Sequence, residues 1–268
     1  MSTKAIIKKW YEALEFPKEY DGEFYEGLES IEIPEGITLN DYRSASTDGK
    51  RNLLTFLYFC EGVEKRAEER GIPRDILIDT LKDLVIWTEN YTELKGELYL
   101  GELSWLKIHM RFEMFRIGRL QFRMTGYRRD IPEAGIKEGD NVLEMHIPRG
   151  SKLDIDECKR SMEQAKEFFA TYFPEFEYNH FVCWSWLLDD TLKKYLPESS
   201  NIIRFGDMFT KTYHMESNGL ISAVFPRGTT EENLADARCR SSFAQRIKDA
   251  LLSGEKFHNT LGFIPKSE

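Results

Sequence analysis

Apolar residues recur at helical spacing in the first part of the chain. Ile6, Trp10 and Leu14 lie four residues apart, which is the spacing of one face of a short amphipathic helix. Residues 50–70 begin with a segment that is apolar nearly all round and end with a charged segment, and Gly71 follows them. We therefore predict a long, partly buried helix that ends at this glycine.

Two more helices are predicted before residue 113. One follows Pro73, a residue that suits the first turn of a helix, and continues to about Tyr91. The other is the short segment LSWLKIHMRF. Between the first two helices, residues 30–39 have strand character but are broken by a proline and a glycine, and residues 41–50 are typical of a polar loop. The first hundred residues are thus predicted to form a helical layer.

The apolar pattern changes from helical to strand-like after residue 113. Residues 114–127 are rich in strand-forming residues and are interrupted by Gly118. The turn-forming segment KEGDN then precedes a second strand at 141–148. We predict that these two strands pair as a hairpin with a long loop.

A strand, a loop, a helix and a second strand follow one another between residues 141 and 188. The loop is 149–153, and Asp154 stands at the N-cap of the helix. Apolar helix positions follow a 3-4-3-4-3 spacing: Ile155, Cys158, Met162, Ala165, Phe169 and Tyr172. Residues 178–188 are apolar on both faces, as expected of a central strand, and the strand-helix-strand order predicts parallel pairing.

Three further elements are predicted towards the end of the chain. Residues 200–209 and 219–225 have the composition of strands, and residues 230–252 are predicted to form the last long helix. The whole pattern indicates a mixed α/β protein, and a length of 268 residues allows one large domain or two modest ones.

Composition narrows the classes of partner. The chain has 268 residues, 41% of them hydrophobic, and a formal net charge of -9. A net negative charge disfavours sequence-independent binding to nucleic acid and binding to an anionic membrane, so we expect neither as a partner. The N-terminus lacks the apolar core of a signal peptide, and no run approaches the roughly 18 apolar residues of a membrane span. We expect a cytoplasmic protein.

The four cysteines predict neither a metal site nor disulfides. They stand at positions 60, 158, 183 and 239, without a CxxC pair and without histidines at metal-ligand spacing. We expect reduced thiols and no bound metal.

The loop after the strand at 141–148 has the composition of an anion site. Gly150 allows close approach of a ligand, Ser151 adds a hydroxyl donor, and Arg149 and Lys152 add positive charge, so a pyrophosphate could bind there. The alternative is an ordinary capped loop, because acidic residues already satisfy the first helical turn and would repel an anion. These residues are Asp154, Asp156 and Glu157.

Two titratable residues share one face of the strand at 141–148. Alternation along the strand places Glu144 and His146 side by side. A carboxylate next to an imidazole can serve as a general base, because the carboxylate favours the charged imidazole. The alternative is that both side chains have structural hydrogen bonds.

The next strand supplies aromatic residues for an acceptor pocket. Alternation puts His180, Trp184 and Trp186 on one face, and Cys183 and Ser185 on the other. The tryptophans could equally be core residues, and Cys183 is not expected to be a nucleophile. Tyr195, in the turn that follows, could donate a proton to a leaving thiolate or simply pack at the surface.

Several segments in order resemble a known family. They are FRIGRLQF (115–122), residues 142–169 and residues 184–209, together with the helical region before them. In these the chain resembles bacterial acyltransferase-domain proteins, and the resemblance implies two domains: a mainly helical N-acyltransferase N-terminal domain at 1–112 and a GNAT-like C-terminal domain at 113–268. The resemblance implies a GNAT-like acyl-CoA N-acyltransferase fold of the α/β (α+β) class, with a mixed central sheet flanked by helices.

The same resemblance implies a site for acyl-coenzyme A. Coenzyme A would lie where the parallel strands 142–148 and 178–187 splay apart. Its pantetheine would pair with backbone near Met145 and Ile147, and its pyrophosphate would bind the loop Arg149–Leu153. The family loop usually reads R/Q-x-x-G-x-G/A, whereas RGSKLD contains one glycine.

The resulting functional hypothesis is acyl transfer, with acetyl-CoA as the expected co-substrate. The acceptor would be a small molecule with an amine or hydroxyl group that attacks directly. Glu144 or His146 would accept its proton, and Trp184, Ser185 and Tyr195 would line the acceptor side. Two alternatives remain: a GNAT-like module that binds a CoA ester or another ligand without catalysis, and an enzyme of another class that uses the same cleft.

Overall fold

The computed structural model describes residues 1–34, 36–42 and 48–267. The chain divides into two compact units. The first comprises Met1–Ile117, Gln121–Arg123 and Pro148–Gly150, and the second comprises Gly118–Leu120, Met124–Ile147 and Ser151–Glu268. None of the described helices is long and apolar enough to cross a membrane.

Helices dominate the described part of the first unit. They are α1 (Thr3–Ala13), α2 (Asp21–Ser30), α3 (Gly49–Arg70), α4 (Arg74–Leu81), α5 (Asp83–Lys95) and α6 (Leu103–Met110). Asp48 caps α3 by accepting a hydrogen bond from the backbone N–H of Arg51. The helix ends at Gly71, whose φ of 72° lies in the left-handed region that glycine adopts without strain. The predicted long helix is confirmed.

Helix α1 packs against α3 through the face that its sequence predicts. Trp10 and Leu14 are buried. The indole Nε1 of Trp10 donates to the carboxylate of Glu61 (3.2 Å), and Lys9 Nζ binds the same carboxylate at 2.8 Å. The apolar start of α3 fills the core of this unit, as the residues around Phe56 are fully buried.

A six-stranded sheet is present in the described residues. Its strands are β1 (Met114–Ile117), β2 (Leu120–Gly126), β3 (Asn141–His146), β4 (His180–Ser185), β5 (Thr210–Glu216) and β6 (His258–Pro265). They lie side by side in the order β1-β2-β3-β4-β6-β5, so that β6 lies between β4 and β5 although it follows both in sequence. β3 and β4 are parallel, which confirms the predicted pairing, whereas β6 is antiparallel to both β4 and β5. The sheet is therefore mixed.

The helices of the second unit are α7 (Ile155–Tyr172), α8 (Asn201–Gly206), α9 (Gly219–Val224) and α10 (Ser242–Leu252). The predicted apolar stripe of α7 is largely buried. Its Phe169 ring contacts Tyr178, whose ring in turn contacts Phe181 of β4. The other face of the sheet carries a second buried cluster, formed by Ile131, Ile136, Val142, Val182, Leu261 and Phe263. The two strands of the βαβ unit are thus packed on both faces, as their apolar composition predicts.

Two predicted strands in the last third of the chain are wrong. Residues 200–209 contain helix α8, which Ser200 caps by accepting a hydrogen bond from the N–H of Ile202 (3.3 Å). Residues 219–225 contain helix α9. Short apolar runs do not distinguish a strand from a buried helical turn, and here tertiary packing favours the helix.

Other boundaries also differ from the sequence prediction. The helix expected over 230–252 is α10 alone, because the side chain of Ser241 accepts from the N–H of Ala244 and begins the helix there. Helix α2 and strand β6 were not predicted. The described residues of 30–39 form no strand, and part of the loop predicted at 41–50 lies outside the described residues.

The helix predicted from Pro73 to Tyr91 is divided at Lys82 into α4 and α5. The division makes Asp83 the first residue of α5, where its carboxylate is buried. Its Oδ2 accepts a hydrogen bond from Trp105 Nε1 (2.6 Å) and lies 3.3 Å from His109 Nε2. Burial alone would raise the pKa of Asp83, but His109, Trp105 and Gln121 together hold it below its ordinary value.

We expect Asp83→Asn to lower the free energy of unfolding of the protein by about 2 kcal/mol at pH 7, because it replaces a buried carboxylate that accepts a hydrogen bond from Trp105 and lies 3.3 Å from His109. The pKa of Asp83 is lowered on folding, so its stabilisation is complete above the unfolded value of about 3.9 and is lost as pH falls through the folded value. Urea unfolding should therefore show a larger difference between wild type and variant at pH 7 than at pH 3.

The matched control is Asp79→Asn, since Asp79 is exposed on α4. It should change the unfolding free energy by less than about 0.5 kcal/mol. Equal effects of the two substitutions at pH 7 would contradict the stabilising role of the buried carboxylate.

Candidate functional site

The parallel strands β3 and β4 are paired at their beginnings and not at their ends. Their register joins Leu143 with Phe181 and Glu144 with Val182. Beyond these pairs β3 continues to His146 and β4 to Ser185. The opposite edge of β4 is paired with β6 along its whole length, from His180 to Ser185. A gap therefore opens between the carboxyl ends of β3 and β4, where parallel α/β structures bind ligands.

Glu144 and His146 lie side by side at this gap. His146 Nε2 is 3.5 Å from Glu144 Oε2, and the two side chains are 26% and 22% exposed. Both residues therefore have partial access to solvent while staying close enough for charge interaction. In this arrangement the imidazole can accept a proton, and the neighbouring carboxylate can stabilise the imidazolium that forms.

Met145 and Ile147 follow Glu144 along the chain, Met145 within β3 and Ile147 just after its last residue, His146. Met145 is buried on the opposite face from Glu144, and Ile147 is partly exposed. Both lie beyond Glu144, the last residue in register with β4. Their backbone amides and carbonyls are thus positioned where an extended ligand could add to the strand edge.

A buried arginine holds the loop that follows β3. Arg119 Nε donates to the carbonyl of Lys152 (2.8 Å), and its Nη2 donates to the carbonyl of Ser151 (3.0 Å). The side chain of Ser161 on α7 accepts from the N–H of Leu120 (3.1 Å), which joins the same turn to the helix. Arg119 was missed by sequence reasoning because an arginine in a tight turn is usually exposed.

Asp154 uses two of the free N–H groups at the start of α7. Its Oδ1 accepts from the backbone of Asp156 and of Glu157, both at 3.0 Å. These backbone hydrogen bonds, that of Glu157 first, lower the pKa of Asp154. The predicted N-cap is confirmed. An anion at this loop would consequently depend on Ser151 and Lys152, both exposed, more than on the helix itself.

Arg149 and Gly150 belong to the first compact unit. Arg149 Nη1 lies 3.5 Å from the side-chain oxygen of Asn90. Gly150 has a φ of 94°, a backbone conformation that other residues rarely adopt. Their assignment to coenzyme A stays a prediction.

The predicted acceptor residues do not share one surface. Trp184 lies on the same face as Val182 and hence as Glu144, whereas Ser185 lies on the other face. The hydroxyl of Ser185 accepts from the N–H of Leu187 (3.2 Å). Tyr195 donates to Glu255 (2.9 Å), and burial followed by this carboxylate raises the pKa of the phenol. Of the three, Trp184 is the one placed on the face of the Glu144–His146 pair.

The prediction that Trp186 shares a strand face with Trp184 is wrong. Strand β4 ends at Ser185, and Trp186–Leu188 forms a short 3₁₀ helix. The indole of Trp186 packs instead against a buried cluster around Leu192, Ile247 and Phe257. The hydroxyl of Ser185 ends the strand by capping this helix.

The cysteines are free thiols, and three of them are buried: Cys60, Cys158 and Cys183. Burial raises the pKa of Cys183 far above its ordinary value and that of Cys158 to about 11. A neutral thiol is a poor nucleophile. Across the described residues, no group of three or more His, Cys, Asp or Glu side chains is arranged to hold a metal ion.

Two family models match the chain. The model of the GNAT-like C-terminal domain matches residues 114–264, and that of the N-acyltransferase N-terminal domain matches residues 7–112. No curated protein matches it. The predicted resemblance is confirmed.

Solved acyltransferase structures have the same fold. One is an acyltransferase in complex with decanoyl-CoA and teicoplanin, and another is an acyltransferase in complex with CoA and 10C-teicoplanin. Each has a TM-score of 0.79 and 23% sequence identity, over 96% of this chain and 87% of that chain. At this identity the similarity shows the fold, and the predicted α/β fold is confirmed.

We expect Arg119→Met to lower the free energy of unfolding by about 2–3 kcal/mol, because two carbonyls lose charge-assisted hydrogen bonds. Hydrogen exchange should also become faster at the amides of 151–153, which measures the loop directly. Lys159→Met is the matched control, since Lys159 is exposed on α7. Unchanged exchange in Arg119→Met would show that the loop does not depend on this side chain.

Proposed function

The chain belongs to the family of the GNAT-like C-terminal domain, and on this premise we propose that it transfers an acyl group from acyl-coenzyme A to an amine or hydroxyl acceptor. The observation that supports the proposal most directly is the gap between the carboxyl ends of β3 and β4, with Glu144 and His146 beside it. The proposed domains are those expected from sequence, 1–112 and 113–268.

The donor would bind along the gap. An extended pantetheine arm would add to the edge of β3 near Met145 and Ile147, where the ladder to β4 has ended. Ser151 and Lys152 would hold the pyrophosphate, one through its hydroxyl and the other through its ammonium group. Arg119 supports this loop from beneath by binding its carbonyls.

We propose a medium-chain acyl group in place of the acetyl group expected from the sequence. The basis is the pair of structural neighbours that hold decanoyl-CoA and octanoyl-CoA. Acetyl-CoA is the competing donor, and a direct comparison of chain lengths separates the two.

The reaction would proceed by direct attack. The acceptor amine forms a bond to the thioester carbonyl carbon, the carbon–sulfur bond breaks, and coenzyme A leaves as a thiolate. His146 accepts the proton released by the amine, and Glu144, 3.5 Å away, stabilises the resulting imidazolium. The thiolate then takes up a proton, so that the products are an N-acylated acceptor and free coenzyme A.

One observation favours the alternative of a CoA-ester-binding module without catalysis. Asp154 occupies two N–H groups at the start of α7 that would otherwise be free to bind an anion. The carboxylate also adds negative charge at the end of the helix that favours anions. Weak binding of the pyrophosphate would reduce the rate of acyl transfer more than it would reduce binding of the acyl chain.

We expect coenzyme A esters to stabilise the protein, with decanoyl-CoA giving a larger thermal shift than acetyl-CoA at the same concentration. At 100 times its dissociation constant, a ligand that binds the folded state adds about 2.7 kcal/mol. Differential scanning fluorimetry with acetyl-, octanoyl- and decanoyl-CoA measures this order. No shift with any ester would refute the proposed function, and a larger shift with acetyl-CoA would refute the proposed chain length.

We expect Glu144→Gln and His146→Ala each to reduce kcat of acyl transfer by about 100-fold, the usual contribution of a general base. Release of coenzyme A from decanoyl-CoA, followed with a thiol reagent, measures the rate. His214→Ala is the control, because His214 is exposed on β5 and lies on the opposite face of the sheet. Rates equal to wild type in both variants would exclude this base. Ester binding without turnover in the wild type would instead favour the inactive module.

A further inference from the structure

An arginine and two aromatic rings form a cluster next to the Glu144–His146 pair. The rings of Trp184 and Tyr213 are stacked, with centroids 5.7 Å apart and planes inclined by 17°. The guanidinium of Arg129 lies 6.0 Å from the first centroid and 5.5 Å from the second. All three residues belong to the second compact unit. We name this cluster the ring platform.

The ring platform lies on the same face of the sheet as the proposed base. Glu144 is in register with Val182, and Trp184, two residues further along β4, lies on the same face of the sheet as Glu144 and His146. Tyr213 comes from β5, beyond β6, and extends the platform away from the gap. A molecule that rests on these rings and extends towards β3 would reach the side chains of Glu144 and His146 on this face.

Tyr127 joins the two groups electrostatically. Its pKa is raised chiefly by burial, while Arg129 lowers it and Glu144 raises it further. Its side chain packs against the same buried cluster as Trp184. Tyr127 and Trp184 therefore lie on the same face of the sheet, over one buried cluster.

The platform is open to ligands and is not simply core. Tyr213 is 46% exposed, and Met215, on the same strand, is 51% exposed. Arg129 is also exposed, and among the described residues its guanidinium contacts the two rings and forms no ion pair. A guanidinium without a carboxylate partner, in a chain whose net charge is -9, is available to an anionic group of a ligand.

These observations define the chemistry of a ligand. Large exposed rings bind flat or ring-shaped groups by stacking, and arginine binds carboxylates with two parallel hydrogen bonds. The ligand must also present a nucleophile on the side of His146. An aliphatic amine without a ring would leave the platform unused.

We propose that the ring platform of Arg129, Trp184 and Tyr213 selects the acceptor, and that the acceptor is an amine with a flat aromatic ring and a carboxylate, as in an aromatic peptide. The inference rests on the proposed acyl transfer. In that reaction Trp184 and Tyr213 position the ring, Arg129 binds the carboxylate, and the amine attacks the thioester near His146.

The test compares two dipeptides that have the same nucleophile and the same carboxylate. Phenylalanyl-glycine has a flat ring, and cyclohexylalanyl-glycine has a puckered ring of similar size. With decanoyl-CoA as donor, mass spectrometry measures the N-decanoyl product and gives kcat/KM for each. We expect the flat ring to be preferred by about fivefold, the scale of an aromatic stacking contribution.

Substitutions in the ring platform test whether it causes the preference for the flat ring. In Tyr213→Ala the ratio of the two kcat/KM values should fall to about one, whereas Tyr213→Phe, which retains the ring, should keep the wild-type ratio. Leu252→Ala is the control, because Leu252 is an equally exposed apolar residue on α10. Arg129→Gln should remove the preference for the free dipeptide over its C-terminal amide. A wild-type ratio of one, or a ratio unchanged in Tyr213→Ala, would overturn the proposal.

Direct binding separates this proposal from the proposed function. If the wild type transfers no acyl group to any acceptor, acyl transfer is refuted, and calorimetric titration of the two dipeptides then tests the platform alone. Tighter binding of phenylalanyl-glycine that is lost in Tyr213→Ala supports the platform. Equal affinities, or binding of neither dipeptide, would overturn it.

Discussion

The site depends on how strand β4 divides its hydrogen bonds between its two neighbours. One edge of β4 is paired with β6 from end to end, while the other is paired with β3 as far as Glu144 and Val182. Backbone amides and carbonyls seek partners almost without exception. Where β3 and β4 separate, their facing backbone groups can form hydrogen bonds with water or with a ligand that has amide groups of its own. The other edge of β4 is held by its complete ladder to β6. The Glu144–His146 pair, Trp184 of the ring platform and the loop after β3 all belong to the strands and turn that flank this separation.

Charge at the loop is balanced by residues that come from different parts of the chain. Arg119 turns the carbonyls of Ser151 and Lys152 inward, and Asp154 takes two N–H groups of α7 for itself. The positive side chain beneath the loop offsets the acidic start of the helix, which would otherwise repel an anion. In the proposed donor site, the affinity for a pyrophosphate would therefore depend on the buried Arg119 as well as on the exposed side chains of the loop.

Sequence predicted the parts of the fold in which one periodic pattern extends over a long segment. The structure confirms helix α7, its N-cap at Asp154 and the parallel pairing of β3 with β4. It also places Glu144 and His146 side by side, as alternation along β3 predicts. Strand β6 was missed because its segment mixes polar residues with glycine. Gly262 is required there because a Cβ would lie 2.8 Å from Phe209 and 2.9 Å from Leu188, contacts that exist only in the folded sheet. The partners of Arg119 and the assembly of the ring platform were missed because contacts that exist only in the folded protein create them. The contacting residues lie on segments distant in sequence, which no local pattern records.

The position of β6 also determines when the sheet can form. Residues 258–265 are synthesised after all the other strands, yet they lie between β4 and β5. Until they emerge from the ribosome, β4 has an apolar edge without a partner and β5 has nothing to pair with. The helices and strands β1 to β4 can assemble early, but β5 can join the sheet only after β6 has inserted between β4 and β5. During this interval the incomplete sheet is exposed to wrong strand pairing and aggregation, so chaperones are expected to act on it at this stage of biosynthesis.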